Sequence, residues 1–248
     1  LKQTYIDTLS IAGDDLITYD FDFTANDAKD TINDWVSDNT NELIDEIISD
    51  DMDITDWKLA ALNAIYLNGT FYFPFDTDMT SKQKFYSDSS REIEVDDIHL
   101  MHQKNYFDYY CDNDYQYLKF KFDDEHKGLY IVFALPLNDK EKEGDDMLLD
   151  REDLLDVMDK FESNVYIALA LPKLDIEQEY ILSDGILQDM GMNDAFDPFK
   201  ADFSEMTDDP TEPLYIDKVI HKTMVKMDEY GLVAAAVTAI GISKLSLP

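Results

Sequence analysis

Carboxylates dominate the reactive groups of this sequence, with 55 Asp and Glu against 20 Lys and Arg. Two carboxylates flanking one bond can do acid and base work, as in glycoside hydrolysis. Pairs such as Asp14-Asp15 and Asp123-Asp124 recur here as composition alone would produce them, so no dyad stands out. His99 and His102 lie beside Asp96 and Asp97. On a helix that spacing suits a metal ion, but the neighbouring residues alternate as in a strand, and no metal site is expected. Cys111 is the single cysteine and cannot form an internal disulfide. Among Tyr109, Tyr110 and Asp112 it reads as a buried or idle thiol rather than a nucleophile. There is no glycine-rich phosphate loop and no Gly-x-Ser-x-Gly turn. An acidic hydrolase is therefore the weakest reading, and no cofactor is implied.

The most unusual stretch is Glu229-Tyr-Gly-Leu-Val-Ala-Ala-Ala-Val-Thr-Ala-Ile-Gly-Ile-Ser-Lys-Leu-Ser-Leu-Pro248. It carries no charge from Tyr230 to Ser243, in a chain with 30% charged residues. Its residues are small enough to slide between two strands. Val237, Thr238 and Ile240 are β-branched and favour extended backbone, and Gly231 and Gly241 free the backbone near each end. An exposed loop of this composition is a strand awaiting a sheet edge, which most proteins blunt with charge or proline. The plainer alternative is an ordinary core helix or strand. Two polar residues also sit inside apolar runs: Asn63 within Leu59 to Leu67, and His221 within Tyr215 to Val225. Each alone reads as a satisfied core group, since an unpaired buried amide costs about 1–3 kcal/mol.

An acidic residue, a glycine two positions on and then a tract of small residues resemble the hinge and reactive-centre loop of a serpin. The order of other segments agrees: Ile32-Asn-Asp-Trp-Val36, Asn63-Ala-Ile-Tyr-Leu-Asn-Gly69, Leu171-Pro-Lys-Leu174, Gly191-Met-Asn-Asp-Ala-Phe196, Ala201-Asp-Phe-Ser204 and Leu214 to Thr223. The resemblance covers essentially the whole chain. It implies an α+β serpin fold: one domain over residues 1–248, with a large mixed main sheet, further sheets and surrounding helices. It begins partway into the family pattern and stops at Pro248, so the chain reads as part of a longer protein. The missing N- and C-terminal parts would leave sheet edges and apolar faces uncovered, and we do not expect the chain to fold alone.

The resemblance further implies a protease inhibitor that is not an enzyme. Residues 229–248 would form the hinge and bait loop, the hinge being Glu229, Gly231, Leu232, Val233, Ala234, Ala235, Ala236 and Val237. Family loop length puts the reactive bond at Leu245-Ser246, with Lys244 as the neighbouring alternative. After cleavage the loop enters the main sheet, with Leu232, Ala234, Ala236, Thr238 and Ile240 expected to face inward. Asn63 and His221 resemble the family's shutter pair, and Phe71 stands in the breach where serpins usually carry Trp. Leu232 also departs from the usual Thr or Ser, and Val233 from a frequent Glu. These departures sustain an alternative, a non-inhibitory serpin-fold protein for binding, storage or chaperone-like work. The implied partner is a serine protease, or a cysteine protease, bound by a monomer in an extracellular setting.

A net charge of −35 with two arginines, Arg91 and Arg151, argues against nucleic acid, anionic membrane and heparin as partners. Salt adaptation is one reading of this acidity, and lineage composition bias with a solvated surface is the favoured one. No run of apolar residues is long enough to span a membrane. Thr24 with Asp27 reads as a helix cap, and the apolar spacing of Ile32, Trp35, Val36, Leu43, Ile44, Ile47 and Ile48 predicts a helix, which resembles the serpin helix that lies across the main sheet. Leu59 to Leu67 reads as a buried central strand. Further strands are predicted in Phe85 to His102, Tyr115 to Phe122, Leu129 to Leu135 and Val165 to Leu171, and helices in Leu148 to Phe161 and Ile181 to Met190.

Overall fold

The computed structural model describes residues 2–12, 17–18, 20–86, 94–126, 128–137, 151–207 and 213–244. Its helices are α1 (Gln3–Ala12), α2 (Ala28–Asn39), α3 (Arg151–Met158) and α4 (Ile186–Asp189). Its strands are β1 (Trp57–Thr70), β2 (Thr80–Tyr86), β3 (Glu94–Cys111), β4 (Tyr115–Lys121), β5 (Tyr130–Pro136), β6 (Glu162–Pro172), β7 (Leu174–Ile181), β8 (Leu214–Met227) and β9 (Gly231–Lys244). The chain divides into two compact units, one of residues 1–66, 176–224 and 234–248, the other of residues 67–175 and 225–233. No described helix is long and apolar enough to cross a membrane.

In the first unit, α2 buries Ala28, Ile32 and Val36, the i, i+4 stripe of an amphipathic helix. It is shorter than its apolar period predicted. Asn41 and Glu42 take positive φ, 53° and 59°, which no α-helix accommodates. The Thr40 hydroxyl donates to the Val36 carbonyl at 2.8 Å and accepts from the Ile44 amide at 3.2 Å. Ile44, Ile47 and Ile48 are nevertheless buried with the α2 residues, so their spacing marks the inner side of an irregular segment. The Asn33 side chain holds that segment, accepting from the Ile47 and Ile48 amides and donating to the Ile48 carbonyl. Thr24 does not cap the helix as expected. Its amide and hydroxyl both donate to Asp22 Oδ1, and Asp27 precedes α2 without a side-chain cap.

A four-stranded sheet runs in the order β1-β9-β8-β7. The second strand in that order is the small-residue segment. Gly231 lies against Gly69 and Gly241 against Trp57, so β9 runs antiparallel to β1. β8 and β9 form a hairpin closed by the Asp228 amide donating to the Gly231 carbonyl at 3.1 Å. β1 is the outermost strand of this order rather than the buried central strand its composition predicted. Ile65 is 60% exposed, and among the described residues no strand pairs with the outer edge of β1.

The second unit is built on an antiparallel sheet ordered β2-β3-β4-β5, with β6 also paired to β3. Three of these strands, β4, β5 and β6, follow the predicted ranges closely, whereas the range from Phe85 to His102 takes in only the end of β2 and the first half of β3. Phe71, Phe75, Phe107, Phe120 and Phe122 form its aromatic core with Met101, Leu118 and Met227. β7 was not expected, because three acidic residues interrupt Leu174–Ile181. The helix predicted for Ile181 to Met190 is only the four residues of α4.

Candidate functional site

The turn between β8 and β9 is an Asx-type turn, with Asp228 Oδ1 accepting from the Tyr230 amide at 2.8 Å and the Gly231 amide at 3.3 Å. Glu229, at its centre, is only 4% exposed. Its carboxylate accepts from the Lys173 ammonium and the Thr80 hydroxyl, each at 2.7 Å. Burial pushes this carboxyl up, but the bonds from Lys173 and Thr80 more than reverse that and hold it below the ordinary glutamate range. Two backbone bonds fasten the turn from the other side, Phe75 amide to Glu229 carbonyl and Phe71 amide to Tyr230 carbonyl, both at 2.8 Å. Phe71 itself is 1% exposed, edge-on to Phe120 and stacked near Phe122. This ring environment suits a phenyl side chain, which brings no donor to satisfy.

Gly231 is required where it stands. A Cβ there would lie 2.1 Å from the Gly69 carbonyl oxygen and 3.1 Å from Thr70 Cα. The next residue, Leu232, is half-buried and packs on the aromatic cluster. Val233 and Ala234 are likewise half-buried.

Further along β9, Ala235, Val237 and Ala239 are buried with Ile32, Val36, Ile44 and Trp57. The side chains between them, Ala234, Ala236 and Thr238, are only half-buried. The inward set expected from the sequence thus lies on the more open face, because α2 and the segment after it cover the other one. At the far end Ile240 and Ile242 find cover from Tyr5 of α1, Leu59, Phe203 and Met206.

His221 on β8 does not meet Asn63 as expected. β9 lies between their strands, and His221 Nδ1 is 2.9 Å from Thr238 Oγ1. Asn63 is exposed, on the side of β1 opposite Ala60, Leu62 and Ala64, which pack into the core. Leu245 and Ser246 lie outside the described residues, and Lys244 ends β9. His99 and His102 both lie on β3, where a spacing of three puts them on opposite faces. Among the described residues no group of three or more His, Cys, Asp or Glu could hold a metal ion.

Sequence reading assigned no role to Lys173, Thr80, Trp57 or Asp217. Lys173 falls inside the quoted Leu171-Pro-Lys-Leu174 motif, the one signal that pointed near it. Trp57 is 2% exposed, and its Nε1 donates to Asp217 Oδ2 on β8 at 2.8 Å. Nothing in the spacing of these residues announces that bond.

The chain is thus an α+β protein in which a small-residue segment lies as a strand inside a four-stranded sheet. The chain belongs to the serpin family, whose profile, described as serpin (serine protease inhibitor), matches residues 1–248. An uncharacterised serpin-like protein of Methanosarcina acetivorans is 32% identical over 98% of this chain and 56% of its own length. The human leukocyte elastase inhibitor is 29% identical over 96% of this chain and 63% of its own length. The structure of reaction-loop-cleaved lamprey angiotensinogen superposes with a TM-score of 0.84 at 24% identity, covering 98% of this chain and 70% of that one. The chain thus spans little more than half the length of the curated relatives it matches.

Proposed function

We infer that the protein carrying this chain is a protease inhibitor of the suicide-substrate kind, as serpins mostly are, rather than an enzyme. The observation that carries this reading is β9: 14 residues after an acidic hinge, lying between β1 and β8. In the inhibitory cycle the target protease's serine attacks the carbonyl of the bait residue, the amine of the next residue leaves, and an acyl-enzyme remains. The freed segment then enters the sheet as a strand and drags the protease with it. New ladder bonds and burial of Ala235, Val237 and Ala239 favour entry, at about 25 cal/mol for each Å2 of apolar surface.

Leu245-Ser246 is the bait bond in this proposal. Leu245 suits the apolar pocket of chymotrypsin-like or elastase-like enzymes, and the human relative's description as an elastase inhibitor agrees with that choice. A trypsin-like enzyme would cut after Lys244 instead. One residue of strand is about 3.3 Å, enough to relax the pull, so such enzymes escape. The hinge roles of Glu229, Gly231 and Leu232 to Val237, the breach role of Phe71 and the shutter role of His221 belong to the same proposal, as does a monomeric state.

The test is an SDS-stable complex between the full-length protein and a chymotrypsin-like or elastase-like protease, releasing a C-terminal peptide that starts at Ser246. Clean cleavage without complex across a protease panel overturns the reading. The alternative, a non-inhibitory serpin-fold binder, rests on Leu232, Val233 and Phe71. Leu232 and Phe71 have packed places beside the hinge, which favours the inhibitory reading. The two differ in the uncut-against-cut melting comparison, since the non-inhibitory protein gains no stability on cleavage.

A further inference from the structure

Trp57 and Asp217 stand on β1 and β8, the two strands that flank β9. Two strand spacings separate them, about 10 Å, and the hydrogen bond from Trp57 Nε1 to Asp217 Oδ2 closes that gap at 2.8 Å. The indole therefore crosses β9, and it crosses at Gly241. A Cβ at residue 241 would lie 2.1 Å from Trp57 Cε2, 2.2 Å from Cζ2 and 2.6 Å from Cδ2. The ring has little room to give way. It is buried with Phe23, Ile54 and Ala239, meets Phe23 edge-on at 6.2 Å and spends its single donor on Asp217.

We propose that the Trp57–Asp217 pair is a strap over the inserted strand, and that Gly241 is a positioning residue that lets the strap close. Beyond Gly241 lie Ile242 and Ser243, both buried, and Lys244. These are the last residues to seat. This deepens the inhibitory reading and rests on it: a loop that stops at residue 241 leaves the acylated protease about three residues short of full draw, about 10 Å. Any side chain at 241 must push the indole aside, break its bond to Asp217 and leave a buried N–H unpaired. That raises the proportion of loops cut without trapping by about tenfold or more.

The experiment uses the full-length protein with Gly241→Val, the double variant Gly241→Val/Trp57→Ala, and Asp217→Leu. Gly241→Ala, one methyl larger than wild type, keeps the test open should Gly241→Val not fold. Each is measured by fraction of SDS-stable complex and by rise in melting temperature when a non-target protease cuts the loop, and those that keep Trp57 also by its emission, obtained by subtracting the spectrum of Trp57→Phe. Wild-type Trp57 emission shifts to the blue on cutting. Gly241→Val traps about tenfold less protease, gains less melting temperature on cutting and lacks the blue shift. Removing the ring in the double variant restores trapping and the melting gain, a coupling that only contacting residues display. Asp217→Leu adds no bulk over the strand but leaves the same indole N–H unpaired, so it loses part of the trapping and melting gain that Gly241→Val loses and reduces the Trp57 shift. Equal trapping and melting gain in Gly241→Val and wild type overturn the proposal, as does a double variant no better than Gly241→Val. If the protein traps no protease but wild type still gains melting temperature and shifts to the blue on cutting, those two measurements report the strap and only the inhibitory reading fails; wild type with neither response overturns both.

Discussion

Gly231 and Gly241 sit near opposite ends of β9, and each is bare for a different reason. At Gly231 the obstacle is main chain, the Gly69 carbonyl oxygen 2.1 Å from where a Cβ would lie. At Gly241 the obstacle is the end of a side chain, the Trp57 indole. Main chain held in a sheet has no other place to go, whereas a ring can be shortened by mutation. The hinge glycine is therefore an absolute requirement of the seated strand, and the far glycine is one half of a replaceable pair. The surroundings differ in the same way. Beside Gly231 the contacts are polar and charged, Glu229 with Lys173 and Thr80. Beside Gly241 they are aromatic and aliphatic, with one neutral donor reaching Asp217.

The contrast is sharpest in Gly231→Val. With the main chain of Gly69 and Thr70 against the new side chain, the inserted form should lose about 4 kcal/mol or more, among the larger effects of single substitutions, and cutting the loop should no longer raise the melting temperature. Rescue of this variant by any single side-chain change nearby would break the distinction drawn between the two glycines.

Glu229→Gln comes next. Removing one partner of a buried pair costs about 3–5 kcal/mol, but Lys173 is 39% exposed on its side chain, which lowers the expectation to about 1–2 kcal/mol. The same group sets a pH dependence. Its folded carboxyl titrates below the ordinary glutamate value, so its contribution is fully present above that ordinary value and is lost as pH falls through the folded one. Melting of the loop-cut protein should therefore fall more steeply on acidification in wild type than in Glu229→Gln. Parallel curves for the two would show that the hinge end is not held by this charge.

The smallest effect is expected in the middle of the strand. His221→Ala leaves the Thr238 hydroxyl without its partner at a half-buried site, worth about 1 kcal/mol in the loop-cut form. Thr238→Val should reproduce most of that loss, and the double variant should not add to it. Additive losses would mean that the two side chains act separately.

Much of this was legible in the sequence where period and burial coincide. Tyr115 to Phe122 alternates and is a strand, and the uncharged stretch after Glu229 is one too. The failures have physical causes. The apolar spacing of Leu43 to Ile48 is helical, but Asn41 and Glu42 break the backbone, and an irregular segment can bury the same residues. Asn63 looked buried because its neighbours are apolar, yet side chains on the two faces of one strand meet different surroundings. β7 was hidden by its acidic residues, which are ordinary on the outer strand of a sheet. Glu229 was found by its motif, but Lys173 and Thr80 join it from distant parts of the chain, and no local pattern encodes that meeting. Trp57 and Asp217 are 160 residues apart in sequence, and only the sheet order brings them together.

The same sheet order sets a race during folding. β8 and β9 are joined by a tight turn, and hairpins of that kind close in about 1–10 μs. β1 reaches either strand only after a very long loop has closed, a slow step for any sheet. Left to local kinetics, β9 would zip onto β8 before β1 arrived, and the chain would fall directly into the arrangement described here. A protein that must first hold this segment in reserve has to bring β1 and β8 together sooner than its own hairpin forms. Under the proposed inhibitory cycle, the uncharged, β-branched composition that makes β9 a good strand is thus a hazard at the beginning of folding.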